Sequence, residues 1–125
     1  MPLQLGLAAS VVLDVTHDDT AVAMHTGEVP VLSTPRLVAL CEQASLQAVR
    51  GQVPEGRTTV GMRVQLDHLA PTAVGSKVTA EARLDKIEGR RLIFAVSASD
   101  ERGLVAAGKI TRVVVDVEAF MEKCS

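Results

Sequence analysis

A chain of 125 residues, 47% of them apolar, has room for one hydrophobic core, so residues 1–125 are expected to form a single domain. A formal net charge of -2 with acids and bases interspersed leaves no electrostatic footprint for nucleic acid, and two Phe without Tyr or Trp remove the stacking platforms of single-strand binders. Cys41 and Cys124 have the spacing of neither a disulfide framework nor a metal knuckle, which fits a reducing cytoplasm.

The opening run, residues 1–15, lacks a basic start, and Asp14 cuts its apolar stretch far short of the roughly 20 residues of a membrane span. No targeting segment and no membrane insertion are expected. Ala8 to Thr16 is rich in β-branched residues and predicts a first strand, which His17-Asp18-Asp19 turns. Thr20 to His25 predicts a short second strand, and Thr26 to Pro30 a loop. Ser33 to Gly51 predicts one helix, with Thr34 as the N-cap, Pro35 at the first helical position and Gly51 as a left-handed stop. At about 100° per residue, Leu37, Cys41, Ala44 and Ala48 make an apolar stripe edged by Leu40 and Ser45. Arg36, Gln43, Gln47 and Arg50 gather on a polar side, and Val38, Glu42, Leu46 and Val49 on a third.

Past the turn-rich Gln52 to Gly56, four strands are expected as a meander: Arg57–Leu69, Ser76–Ile87, Arg91–Asp100 and Leu104–Asp116. Val78, Ala80, Ala82, Leu84 and Lys86 share one face of the second of these. Glu88-Gly89-Arg90 and Glu101-Arg102-Gly103 are its hairpin turns, and Val117 to Lys123 a short helical tail. This order predicts an α+β domain with a long central helix wrapped by a curved antiparallel sheet. Several strands are apolar on both faces, more than one helix can cover, so a homodimer or higher homo-oligomer is expected.

Within this frame Glu42 is misplaced, because a carboxylate among Val38, Leu46 and Val49 must be paired, protonated or functional. A neutralised Glu at an interface and a reactive group are both open. Arg112, between Ile110 and Val113, requires an anion, either a nearby carboxylate or a ligand. Gly61 interrupts a β-rich strand and marks a bulge or a ligand's close approach. Thr34 caps the helix, and that end also presents amides suited to an oxyanion. His68 at a strand end is either structural or a proton shuttle. His17 and His25 fall in turns, and the three His lack metal-ligand spacing, so no metal site is expected. Lys86, Arg90, Arg91 and Lys109 read as solvated surface, though able to meet phosphates.

Four segments in order carry a resemblance: Thr34 followed eight residues later by Glu42; Val64-Gln65-Leu66-Asp67-His68-Leu69-Ala70-Pro71-Thr72; Lys86-Ile87-Glu88-Gly89-Arg90-Arg91-Leu92; and Gly108-Lys109-Ile110-Thr111-Arg112. From about Val29 to Glu118 the chain resembles the hotdog-fold acyl-CoA thioesterases of the fluoroacetyl-CoA thioesterase-like branch. The resemblance implies hydrolysis of an acyl-CoA thioester without a separate cofactor, coenzyme A being part of the substrate. It matches Thr34, Glu42 and His68 to the catalytic residues, and Gly61 and Arg112 to substrate contacts. The member that gives this branch its name carries a longer, Phe-rich segment ahead of the helix as a lid over the acyl group, whereas here only Thr20 to Leu32 is available and it holds no aromatic residue. A small or medium acyl group is therefore expected, with fluoroacetyl selectivity not implied.

Glu42 then attacks the thioester directly or activates water. Eight helical residues span about 12 Å, so Thr34 and Glu42 of one chain cannot grip one carbonyl; an antiparallel helix pair across a two-fold axis would bring Thr34 of one copy to Glu42 of the other. Two other readings are a non-catalytic acyl-CoA-binding module and a hotdog hydratase, the latter relying on an Asp and His pair near the helix start that this helix lacks.

Overall fold

The computed structural model of the protein describes residues 3–125, so the first two residues of the opening run lie outside it. Five strands form one antiparallel sheet in the order β1-β3-β4-β5-β2. They are β1 (Ala8–Asp14), β2 (Arg57–His68), β3 (Lys77–Glu88), β4 (Arg91–Asp100) and β5 (Gly103–Asp116). The long helix α1 (Thr34–Val49) and the short α2 (Val117–Glu122) complete the elements, with a 3-10 turn at His17–Asp19.

The expected stripe of α1 is the one that is buried: Leu37, Leu40, Cys41, Ala44, Ser45 and Ala48 face the sheet, with Val49 beside them. Opposite lie Val78, Ala80, Ala82 and Leu84 of β3 and Leu92, Phe94, Val96 and Ala98 of β4. Alanines on both sides let helix and sheet approach closely, and Phe94 fills the centre. Burial pushes the Cys41 thiol up to about 11, so it is an inert apolar group. Among the described residues no helix is long and apolar enough to cross a membrane.

Four expectations are corrected. The last four strands are not a simple meander: β3, β4 and β5 are, but β2 pairs with β5 at the far edge. Because α1 connects β1 to β2 across the sheet face, these two strands end at opposite edges. Thr20 to His25 is no strand, since Thr20 makes only a bridge to Leu32 and the chain then turns, with Met24 N donating to Thr20 O. His25 sits at φ 60°, outside strand geometry. Lys86 leaves the inner face of β3, because a register shift between Leu84 and Lys86 breaks the alternation.

The fourth correction concerns the helix start. Ser33, not Thr34, is the N-cap: its Oγ accepts from Arg36 N at 3.1 Å, which makes Thr34 the first helical residue. Ser33 is buried, and its hydroxyl also donates to Met24 Sδ at 2.8 Å, tying the preceding loop to the cap. Gly51 takes the left-handed conformation past the helix end, as expected, with φ 80°.

A second tie is ionic. Asp19 Oδ1 accepts from Arg36 Nε at 3.0 Å, while Asp19 Oδ2 accepts from Thr16 N at 2.8 Å and Thr16 Oγ1 at 3.1 Å. Burial alone would raise the Asp19 carboxyl, but the Thr16 and Arg36 bonds outweigh it and hold the group below its ordinary 3.8. A depressed folded pKa stabilises the native state above the unfolded value and loses that effect as pH falls through the folded one. Acid unfolding of the native chain should therefore steepen below about pH 4, and Asp19→Asn should flatten that limb in urea titrations at stepped pH.

Candidate active site

The cap at Ser33 leaves the Thr34 hydroxyl free for another partner. It lies 2.8 Å from His68 Nδ1, joining the start of α1 to the last residue of β2. His68 Nε2 is buried and has no hydrogen-bond partner among the described residues. If Thr34 donates to Nδ1, Nε2 carries a proton with no acceptor; if Nδ1 donates, the Nε2 lone pair is unpaired. Either way the ring lacks one partner, a deficit of about 1–3 kcal/mol if nothing else supplies it.

The helix end offers fewer amides to an oxyanion than the sequence implied. Pro35 carries no N–H, the Arg36 amide is taken by Ser33 Oγ and the Leu37 amide by Ser33 O. That leaves the Thr34 amide and hydroxyl. Around this pair opens a groove of about 360 Å³, walled by residues of the loop before α1 and by Leu69, Ala70 and Pro71 after β2.

Two turns along α1 is a second cluster. Arg112 of β5 is 7% exposed, and its Nε donates to Thr59 Oγ1 at 2.9 Å while Nη2 donates to Thr59 O at 2.9 Å. With those bonds fixing the guanidinium plane, Nη1 faces Glu42 Oε2 at 3.6 Å. The anion that Arg112 required and the partner that Glu42 required are thus each other. Burial lowers the basicity of Arg112 and the Glu42 charge works against that. The pair is not sealed, since the Glu42 side chain stays 37% exposed.

Gly61 marks the expected bulge, and the group that approaches it closely is the Glu42 side chain. The β2–β5 register shifts between Gly61 and Arg63, and a Cβ at Gly61 would sit 2.5 Å from Glu42 Oε2. The missing side chain is the space the carboxylate occupies. Gly61→Ala should displace the carboxylate from Arg112 and lower turnover by about 10- to 100-fold, while thermal melting shifts little because the obstructed atom ends a flexible side chain.

All five candidate residues therefore fall into two clusters in one chain, Thr34 with His68 and Glu42 with Gly61 and Arg112. No hydrogen bond or ion pair joins the two clusters among the described residues. Sequence reasoning missed Thr59 and Ser33. Thr59 carried no signal within a β-rich run, whereas Ser33 before Thr34-Pro35 was a second possible cap. Among the described residues no group of three or more His, Cys, Asp or Glu could hold a metal ion.

The chain matches known proteins in both sequence and fold. The family model of fluoroacetyl-CoA-specific thioesterases matches residues 15–118. A fluoroacetyl-CoA thioesterase from Streptantibioticus cattleyicolor is 34% identical over 93 residues, 74% of this chain and 67% of that protein. A solved fluoroacetyl-CoA thioesterase superposes with a TM-score of 0.92 at 27% identity, covering 99% of this chain and 96% of the other. A variant of that enzyme has been solved with fluoroacetate and CoA. A Thermus thermophilus member of the thioesterase superfamily superposes with a TM-score of 0.89 at 30% identity, over 98% of this chain and 93% of the other. A hot-dog-like protein from Thermanaerovibrio acidaminovorans gives 0.90 at 28%, over 98% and 90%. The match spans most of the chain and the curled sheet around one helix is shared, so this protein has the hotdog fold and belongs to the fluoroacetyl-CoA-specific thioesterase family.

Proposed function

We propose that the protein is a cytoplasmic, homodimeric acyl-CoA thioesterase that needs no cofactor, and that each of its two sites takes Thr34 and His68 from one copy and Glu42, Gly61 and Arg112 from the other. What carries this reading is the division of the candidate residues into two half-sites, set about 12 Å apart along α1 by the helical rise.

The sheet edge supports a second copy. β2 is an edge strand of 12 residues, and Met62 and Val64 on it are 42% and 40% exposed. Such an edge invites pairing. A two-fold axis continuing the sheet through β2 sets the α1 helices antiparallel. Level with the midpoint between residues 34 and 42 the axis meets Val38, a half-buried apolar residue on the same side of the helix. Thr34 of each copy then faces Glu42 of the other.

In such a site the Glu42 carboxylate, held by Arg112, takes the proton of an attacking water or itself adds to the thioester carbon. Along either route water is consumed, the C–S bond breaks, the coenzyme leaves as thiolate and is protonated, and a carboxylic acid is released. With His68 Nδ1–H donating to its oxygen, the Thr34 hydroxyl keeps its own proton for the carbonyl oxygen as that gains charge, beside the Thr34 amide. His68 orients the hydroxyl, and its unpaired Nε2 gains its partner from substrate or second copy. Thiol release from a panel of acyl-CoAs tests the function: turnover with at least one supports it, and none with any would leave an acyl-CoA-binding module.

A further inference from the structure

On β2 the two members of the Glu42–Arg112 pair are met by residues two positions apart. Gly61, opposite Arg112 in the β2–β5 register, leaves the space that the Glu42 carboxylate fills. Thr59, buried and diagonal to Arg112, takes the arginine. A guanidinium beside a carboxylate commonly closes on it as a fork, with two parallel N–H donors at about 2.7–2.9 Å. Here Nε and Nη2, an adjacent pair of donors suited to such a fork, both go to Thr59, one to its Oγ1 and one to its carbonyl, each at 2.9 Å. Only Nη1 is left to face Glu42, and 3.6 Å is a charge contact rather than a hydrogen bond.

We propose that Thr59 is a positioning residue for thioester hydrolysis: by occupying the fork of Arg112 it keeps the arginine from clamping Glu42, so the carboxylate has a cation beside it and lone pairs still free. The inference deepens the thioesterase reading above and rests on it. Lone pairs already bonded to N–H groups cannot take a proton from water or add to a carbonyl carbon without first breaking those bonds. An arginine released from Thr59 turns its donors to the nearest anion, because a buried N–H left unpaired is destabilising. That anion is Glu42. Thr59 acts through Arg112 and touches no reacting atom.

The test compares the native protein with Thr59→Val, which keeps the shape and the carbonyl but has no hydroxyl, and with Thr59→Ser, which restores the hydroxyl. Thiol release is followed with whichever acyl-CoA of the panel the native protein turns over fastest, well below each variant's melting temperature, so that loss of folded protein does not enter. Thr59→Val should lower kcat by about tenfold or more with KM within about twofold, and Thr59→Ser should recover kcat to within about threefold of native. A crystal structure of Thr59→Val should show an Arg112 nitrogen within about 3.0 Å of a Glu42 oxygen. Thr59→Ala takes the place of Thr59→Val if the valine variant does not fold. A loss carried by KM, a loss that Thr59→Ser does not recover, a kcat within about twofold of native, or an Arg112 still held off Glu42 in the variant each overturns the role of Thr59 while leaving the thioesterase reading intact. No turnover by the native protein with any acyl-CoA overturns that underlying reading, and the role of Thr59 with it.

Discussion

Replacing Glu42 by Gln is expected to lower thioester hydrolysis by about three orders of magnitude or more, with kcat carrying the loss. The amide keeps the shape of the side chain but can neither accept a proton from water nor attack a thioester carbon, and such steps contribute about 10²–10⁴-fold. Stability should fall somewhat. The Arg112 guanidinium is 8% exposed and loses its anion, which costs more than an exposed pair would, while the 37% exposure of Glu42 keeps the loss to about 1–2 kcal/mol. Arg112 keeps both bonds to Thr59 in the variant. A folded protein with a modestly lowered Tm and turnover gone is the expected pair of results; substantial residual turnover would remove Glu42 from the chemistry.

The largest effect on stability should come from Gly108→Ala. Gly108 pairs with Leu66 of β2 and Val96 of β4, in the middle of the sheet. A Cβ there would run into the backbone of Gln65 and Leu66, where no flexible side chain can give way. Either the β2–β5 pairing opens or the strand shifts, and overpacking of this kind costs about 1–3 kcal/mol, at the upper end where backbone is the obstacle. A fall in Tm on the order of 10 °C is expected, with the urea midpoint lowered at unchanged slope. A melt within two degrees of native would show that β2 does not press on β5 there.

How much of this was legible in the sequence depends on which contacts are local. The helix stripe from Leu37 to Ala48 and the alternation of Leu92, Phe94, Val96 and Ala98 follow from periodicity alone, and all of those residues are buried. Glu42 and Arg112 each announced a missing partner, though not that the partner was the other, because their pairing depends on a crossover the sequence does not encode locally. The position of β2 beside β5 was hidden for the same reason. The Thr34 reading failed over one position: with Pro35 second in the helix rather than first, capping passes to Ser33 and the neighbouring hydroxyl becomes available to His68. Thr59 was invisible, since nothing distinguishes a strand threonine that holds an arginine from one that fills space. The absence of Phe from Thr20 to Leu32 was plain in the sequence, while the strand assigned to Thr20–His25 was undone by local turn bonds, Met24 N to Thr20 O and His25 N to Val22 O.

The account stands most directly on the two half-sites meeting across a dimer. Thr34→Ala and Glu42→Gln, each nearly inactive alone, should be unfolded together in equal amounts, refolded and assayed for thiol release. With random pairing half of the dimers are mixed, and each mixed dimer holds one site with both native groups, so activity should return to about a quarter of native. Recovery to that level is the predicted result; a mixture no more active than its two components, in a sample where mixed dimers are demonstrated, would contradict the shared site.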